Sequence, residues 1–340
     1  MALTIYDISK KAGVSIATVS RVLNGSDNVR PSTRQKVLEI IQQYDYIPNA
    51  LARGMGLHST HTIGILCADC SNLFFAKAIY HLEQELHENG YESLLCCTGY
   101  NLDVRKSYLN LILSQRIDAL ILVGSNFIGT TEEENQYIKD SAAKVPIMLL
   151  NAAFTYSNVY SITCDDFSTM FHAASTMLNA GISDILYLYN SHSYSAQKKL
   201  DGFKAAMEVN HIKNYEHLIY FCDTEPQDID MAADFVQVIA DSGKIFHGVI
   251  ASDDILGVGA VKYAHRNHIC IPQDLAIIGY NNSILTSCCC PELTSIDNKL
   301  QTQTHQLVQT LLGVLSGKEM PQKSIFSGQL VERGTTNFSN

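Results

Sequence analysis

Tryptophan is absent from the 340 residues, which leaves any ring-stacking contact to phenylalanine and tyrosine. No apolar run approaches the ~18 residues that a membrane-spanning helix needs, so a span is excluded. The opening stretch, Met1 to Lys11, mixes polar and apolar residues and has no signal-peptide core, which predicts that the chain is not exported. Low-complexity tracts and exact repeats are also missing. Charged residues are 17% and apolar residues 46%, a globular composition that excludes disorder as the dominant state. Ten cysteines in so long a chain are not the framework of a small secreted scaffold, and buried free thiols in a reducing cytosol are expected. The net charge of −10 argues against a protein coated in nucleic acid. That average hides an asymmetry. Residues 1–60 hold seven Lys/Arg against four acids, giving +3 and leaving −13 for the rest. A small basic head on a large acidic body implies that only the head meets a polyanion.

The first 48 residues read as three short helices. Thr4 and Asp7 have capping-box spacing, Gly13 supplies a turn, and Ser15 caps the second helix. That helix carries Val19, Val22 and Leu23 on one face and stops at Asn24-Gly25. Pro31-Ser32 starts a third helix with Val37, Leu38, Ile40 and Ile41 inward. Two helices joined by a tight glycine turn are a helix-turn-helix unit. Residues 49–61 form a linker in which Gly54 and Gly56 each weaken a short helix by ~1 kcal/mol. From residue 62 onward, apolar runs such as Ile63–Cys67, Ala119–Val123 and Val249–Ala251 alternate with amphipathic stretches. Such alternation predicts doubly wound parallel sheets, and a break at Tyr156–Tyr160 predicts two similar lobes.

Catalytic and metal signals are weak. Cys67-x-x-Cys70 has no second C-x-x-C to complete a zinc site, and His58-x-x-His61 and His265-x-x-His268 have no nearby carboxylate pair. Gly257-x-Gly259 lacks the third glycine of a dinucleotide loop and follows Asp253-Asp254, which repel phosphate. No serine sits in a nucleophile elbow. The expectation is no enzyme, no metal and no cofactor.

The segment from Thr4 to Arg53, with "AGVS", "TVSRVLN", "TRQKV" and "YIPNALAR", resembles the DNA-binding region of the lactose-repressor family of transcription regulators. The body continues the resemblance in "IGIL", "CSNLFF", "ASDDILGVGAV", "IPQDLAIIGYNN" and "PELTSID". The resemblance implies an all-α helix-turn-helix head (1–48), a hinge helix and linker (49–61), and an α/β periplasmic-binding-protein-like core of two Rossmann-like lobes (62–340). Lobe 1 is expected at about 62–160 and 295–323, lobe 2 at about 161–294 and 324–340. It also implies a homodimer on a palindromic double-stranded DNA operator and a small-molecule effector between the lobes.

The N-terminal end of a recognition helix reaches base edges. Ser15, Thr18 and Ser20 carry short hydroxyls suited to phosphates, and Ser15 serves equally as a plain cap. Arg21 suits bidentate contact with guanine, or a phosphate. By resemblance, Ile16 and Ala17 are the variable reading positions, where apolar side chains touch only thymine methyls or the sugar edge. Asn24, Asn28, Arg30 and Thr33 are implied backbone contacts, Thr4 is counted among the DNA-binding residues, and Tyr6 is either a phosphate contact or a half-buried aromatic. In the hinge, Asn49 is placed toward the groove, Ala52 toward the partner helix, and Met55 at the minor-groove wedge; a flexible tether is the plainer alternative.

For the effector site, the resemblance implies Phe74, Phe75, Ser125, Asp165, Ser195, Lys199, Thr224, Ser252 and Asn281. Lys199 stands where the family has arginine, and Asn281 where it has aspartate. With Asp165 and Lys199 as the charges, the set suits a neutral polyhydroxylated ligand, most simply a sugar, with Phe74 or Phe75 against its apolar face; core packing is the plainer role for the two rings, and a surface role for Lys199 and Asn281. The expectation is a cytoplasmic repressor switched by a sugar. Gating by a partner protein or a nucleobase-type corepressor is the alternative.

Overall fold

The computed structural model describes residues 4–23, 28–44, 59–223 and 228–338. The chain divides into two compact units, Met1–Thr62 and Ile63–Asn340.

The described residues of the first unit form three helices, α1 (Ile5–Ala12), α2 (Ile16–Leu23) and α3 (Pro31–Gln43). Thr4 donates its backbone N–H at 2.8 Å and its hydroxyl at 2.7 Å to the Asp7 carboxylate, which closes the start of α1. Those two bonds hold the Asp7 carboxyl below its ordinary range. Gly13 ends α1 in the left-handed region at φ 63°, a conformation that a side chain disfavours. Ser15 then caps α2, accepting from the Thr18 N–H at 3.2 Å. Ile8, Ala12, Val19, Val22 and Val37 form a small buried core, with Ile40 and Ile41 packed on it. Leu38, expected inward, is exposed instead: it stands about 100° around α3 from the buried Val37, at the edge of the packed face.

The second unit contains two six-stranded sheets. The first runs β11-β5-β4-β3-β1-β2, built from β1 (Thr62–Cys67), β2 (Glu92–Cys97), β3 (Ala119–Val123), β4 (Ile147–Leu150), β5 (Val159–Cys164) and β11 (Lys323–Phe326). The second runs β12-β10-β9-β8-β6-β7, from β6 (Ile185–Tyr189), β7 (Ile219–Phe221), β8 (Gly248–Ala251), β9 (Ala276–Tyr280), β10 (Thr294–Asp297) and β12 (Gln329–Val331). β12 pairs antiparallel with β10; β11 pairs parallel with β5. Each sheet carries an apolar cluster on both faces, which is why its central strands are apolar throughout. The helices are α4 (Leu73–Glu88), α5 (Leu102–Leu113), α6 (Gln136–Ala142), α7 (Asp166–Asn179), α8 (Tyr194–Val209), α9 (Ile229–Asp241), α10 (Asp254–Arg266) and α11 (Leu300–Leu315).

The chain passes between the lobes after β5, after β10 and between β11 and β12. These crossings differ from the expected boundaries by a few residues. Residues 161–164 and 324–326 belong to the lobe 1 sheet, and residues 295–297 to the lobe 2 sheet. The break expected at Tyr156–Tyr160 is overrun by β5, whose buried Ser161 and Thr163 interrupt the apolar run that would mark a strand. Ser161 is satisfied there, its hydroxyl accepting from the Phe154 N–H at 3.2 Å.

Helices α7 and α8 approach closely at Gly202. A Cβ built on Gly202 would stand 2.3 Å from the backbone carbonyl oxygen of Phe167. Gly202→Ala is therefore expected to lower stability by ~1–3 kcal/mol by overpacking, despite alanine's better helix propensity. Urea unfolding of the two proteins measures this; equal midpoints would show that the helix pair gives way freely.

Candidate functional site

Two surfaces qualify, one on each unit. In the head, the buried side of α2 is Val19 and Val22, so the other side faces solvent. Ser15, Ile16, Ala17 and Arg21 are exposed there, and Thr18 and Ser20 half-buried. The Ser15 and Thr18 hydroxyls lie 2.9 Å apart, so capping and outward display coexist. Tyr6 is 67% exposed, which removes the half-buried reading. Thr4, Asn28 and Arg30 are exposed and Thr33 half-buried. Asn24, Asn49, Ala52 and Met55 lie outside the described residues, as does Thr224.

In the body, the C-terminal ends of both sheets surround a cavity of about 500 Å³. Phe74, Phe75, Ser125, Ser195, Lys199, Ser252 and Asn281 line it, as expected. Asn72 caps α4 by accepting from the Phe74 N–H at 3.0 Å, which turns the two rings toward the cavity mouth. Phe75 is also part of the lobe 1 core, so stacking surface and packing are one residue's two faces. It lies so close over Gly124 that a Cβ there would stand 2.5 Å from the ring. Across the cleft, Ser125 donates to the Ser193 hydroxyl at 2.9 Å, a direct bond between lobes.

Asp165 is a correction. Its carboxylate caps α7, accepting from the Ser168 N–H at 3.1 Å, and it does not line the cavity. The acid beneath the floor is its neighbour Asp166, 4% exposed, which accepts from the hydroxyls of Ser195 and Tyr280. Lys199 is buried as well, not at the surface. Its ammonium donates to the Ser252 carbonyl at 3.0 Å and sits 3.6 Å from the Tyr280 ring centroid. Burial pushes the Lys199 ammonium down and the Asp166 carboxyl up, and their mutual attraction opposes both shifts. The cavity thus meets one anchored donor from Lys199 rather than a mobile cation.

Asn281 follows β9 at φ 95°, a backbone shape that asparagine tolerates better than most residues. Its amide oxygen accepts from Asn298 at 3.0 Å, which turns the remaining amide donors to the cavity. Residues that the sequence reading missed are Asn72, Tyr100, Asn126, Asn151, Asn190, Ser191, Ser193, Asp223 and Asp253. Asn190 donates to Asp253 at 2.8 Å, and Asp253 caps α10 through the Leu256 N–H. Both amide atoms of Asn126 are buried without a partner among the described residues. The signal available for most of these was a polar residue just after an apolar strand, as in Gly124-Ser125-Asn126 after β3 and Asn190-Ser191 after β6. Among the described residues, no group of three or more His, Cys, Asp or Glu is arranged to hold a metal ion. The cysteines depart from the expected burial: Cys70, Cys270, Cys288 and Cys290 are exposed.

Comparison with known proteins matches a family to each unit. Residues 4–49 match the family described as bacterial regulatory proteins, lacI family, and residues 174–336 the periplasmic binding protein-like domain. A protein of Lachnoclostridium phytofermentans named HTH-type transcriptional regulator is 46% identical over 336 residues, 99% of this chain and 100% of that one. The lac repressor dimer bound to operator and the anti-inducer ONPF shares the fold with a TM-score of 0.87 at 20% identity, over 98% of this chain and 99% of that one. The transcriptional regulator CelR–cellobiose complex has a TM-score of 0.71 at 20% identity, over 98% and 100%.

The buried acids make stability depend on pH. Burial lifts the Asp254 carboxyl from 3.8 to about 6, against hydrogen bonds from Ser295 and Ser283. Between those values the folded chain keeps a proton that the unfolded chain has lost. Stability is therefore full below the unfolded value and declines as pH rises through about 6, by about 3 kcal/mol from this group. Asp166 and Asp253, also raised by burial, act in the same direction. Asp254→Asn should flatten the slope between pH 4 and 6 in urea unfolding; an unchanged slope assigns it to other groups.

Proposed function

The chain belongs to the lacI family of bacterial regulatory proteins, and from that premise we propose that it is a dimeric cytoplasmic repressor whose hold on a palindromic operator is set by a sugar in the interlobe cavity. The family consists of transcription regulators, and the exposed side of α2 supplies the expected contact chemistry. Arg21 is the guanine reader, Ser15, Thr18 and Ser20 bind phosphates, and Ile16 and Ala17 meet apolar base edges. Asn28, Arg30 and Thr33 add backbone contacts. Asn49, Ala52 and Met55 act in the hinge.

The observation that carries the effector class is the cavity's lining. Amides and hydroxyls dominate it, rings of Phe74, Phe75 and Tyr100 flank it, and the buried Lys199 is balanced by Asp166 and Asp253. Vicinal hydroxyls match that arrangement of donors and acceptors, and a strongly anionic ligand meets more carboxylate than ammonium. The operator and cellobiose named for the neighbouring structures are in keeping with both halves of the reading. Coupling follows from linkage: a ligand that prefers one lobe arrangement shifts DNA affinity by the ratio of its affinities for the two arrangements.

Two measurements test this. A panel of sugars and nucleobases, read by thermal shift and then titration calorimetry, should give saturable binding of a neutral sugar. Asn126→Ala and Asn281→Ala should each weaken it by about one to two orders of magnitude, the ~1–3 kcal/mol of a lost buried partner. Operator affinity without ligand should stay unchanged. Saturable binding of nucleobases alone, or of nothing in the panel, overturns the sugar assignment. Separately, binding-site selection with Arg21→Ala should relax base preference at one position per half-site, while Lys36→Ala leaves the consensus intact. An unaltered consensus in Arg21→Ala reduces that residue to a phosphate contact.

A further inference from the structure

A second, smaller cavity opens beside the main one. It holds about 60 Å³ and shares Asn72, Phe74, Asp253 and Asn281 with the main cavity, so the two meet across these four residues. At ~15 Å³ for each water-sized occupant, the side pocket takes about four heavy atoms, too few for a sugar ring. Its own walls come from three helix starts: Leu73 on α4, Ile255 on α10 and Leu300 on α11. Ile255 and Leu300 are buried and Leu73 half-buried, and apolar surface makes up most of the lining.

The junction between the two cavities is polar and directional. Asn281 commits its amide oxygen to Asn298 at 3.0 Å, which leaves its Nδ2 hydrogens to donate. Asp253 accepts from the Leu256 N–H at 2.9 Å and from Asn190 at 2.8 Å, one bond on each carboxylate oxygen, and keeps lone pairs to accept more. A group crossing the junction thus meets a donor on one residue, an acceptor on another, and apolar side chains behind them.

We propose that the side pocket is a subsite for an acetamido group and that the effector is an N-acetylated amino sugar. The proposal rests on the sugar reading above and narrows it. The sugar ring occupies the main cavity. The acetamido carbonyl accepts from Asn281 Nδ2, its N–H donates to the Asp253 carboxylate, and its methyl packs on Leu73, Ile255 and Leu300. Nitrogen, carbonyl carbon, oxygen and methyl together match the size of the pocket.

Other substituents use less of it. A hydroxymethyl reaches Asn281 or Asp253 but brings no methyl to the apolar wall. A deoxy sugar's methyl fills that wall and leaves both junction groups without a partner. A carboxylate or phosphate meets Asp253 and Asp254, while the cation in the same lining, Lys77, is exposed to solvent, where its attraction is screened.

The test titrates the full chain calorimetrically with N-acetylglucosamine, N-acetylgalactosamine and N-acetylmannosamine, each beside its parent hexose. In at least one pair the acetylated sugar should bind about tenfold or more tightly. The N-butanoyl analogue of that sugar, whose acyl chain is longer than the pocket holds, should lose the gain. Leu73→Phe, which puts a ring into the pocket, should bring the pair within about twofold of each other; the acyl series makes the same test without any substitution. A parent hexose that binds as tightly as its acetylated form in every pair overturns the subsite and leaves the sugar reading standing. A butanoyl analogue that binds as tightly as the acetyl sugar, or a preference that survives in folded Leu73→Phe, does the same. Saturable binding of none of these sugars also overturns the subsite, and the wider panel of sugars then shows separately whether the sugar reading stands.

Discussion

Asp254 is the buried charge on which the lobe 2 half of the site is hung. It opens α10, accepts from the Ser295 hydroxyl on β10 and from the Ser283 N–H beyond β9, and is 2% exposed. A carboxylate so placed costs free energy unless its oxygens are hydrogen-bonded. Its partners are therefore held as tightly as it is. β9 must come close enough that a Cβ on Gly279 would stand 2.5 Å from the Asp254 carboxyl. That constraint fixes where β9 ends, and with it the left-handed turn that presents Asn281 to the cavity. Asp166 does the same for the other side of lobe 2, collecting Ser195 from α8 and Tyr280 from the end of β9.

The cavity's chemistry follows from these burials. Lys199 would be a strong anion site if its ammonium were free. Packed over Tyr280 and bonded to Ser252, it is a fixed donor whose charge the acids beneath it neutralise. Beside the carboxylates of Asp223 and Asp253, the groups left toward the cavity are neutral and directional, with Asn126 offering an amide that has no partner among the described residues. The Ser125–Ser193 bond spans the cleft, so an occupant that displaces or strengthens it acts on the relation between lobes directly.

The head works under a tighter constraint. Among the described residues, five buried apolar side chains are a small core for three helices. Local devices therefore matter there: the Thr4–Asp7 bonds, the left-handed Gly13 and the Ser15 cap fix helix ends that packing alone would leave loose. Because α2 spends Val19 and Val22 on that core, Ile16, Ala17 and Arg21 are left exposed.

Periodicity and local turn chemistry were enough, from sequence alone, for the three head helices, eight of the strands and the alternation that makes two doubly wound lobes. Motif resemblance carried seven cavity residues to their places. Tertiary structure decided the rest. β5 and β10 escaped notice because their buried positions include Ser161, Thr163, Thr294 and Ser295, polar residues of which Ser161 is satisfied by Phe154, Thr294 by Thr336 and Ser295 by Asp254 only once the chain has folded. The same reason moved the lobe boundaries, since both strands stand at crossings between sheets. Asp165 and Asp166 are adjacent carboxylates with no local difference in sequence. Which one caps a helix and which is buried beneath the cavity depends on where Ser195 and Tyr280 arrive from 29 and 114 residues away.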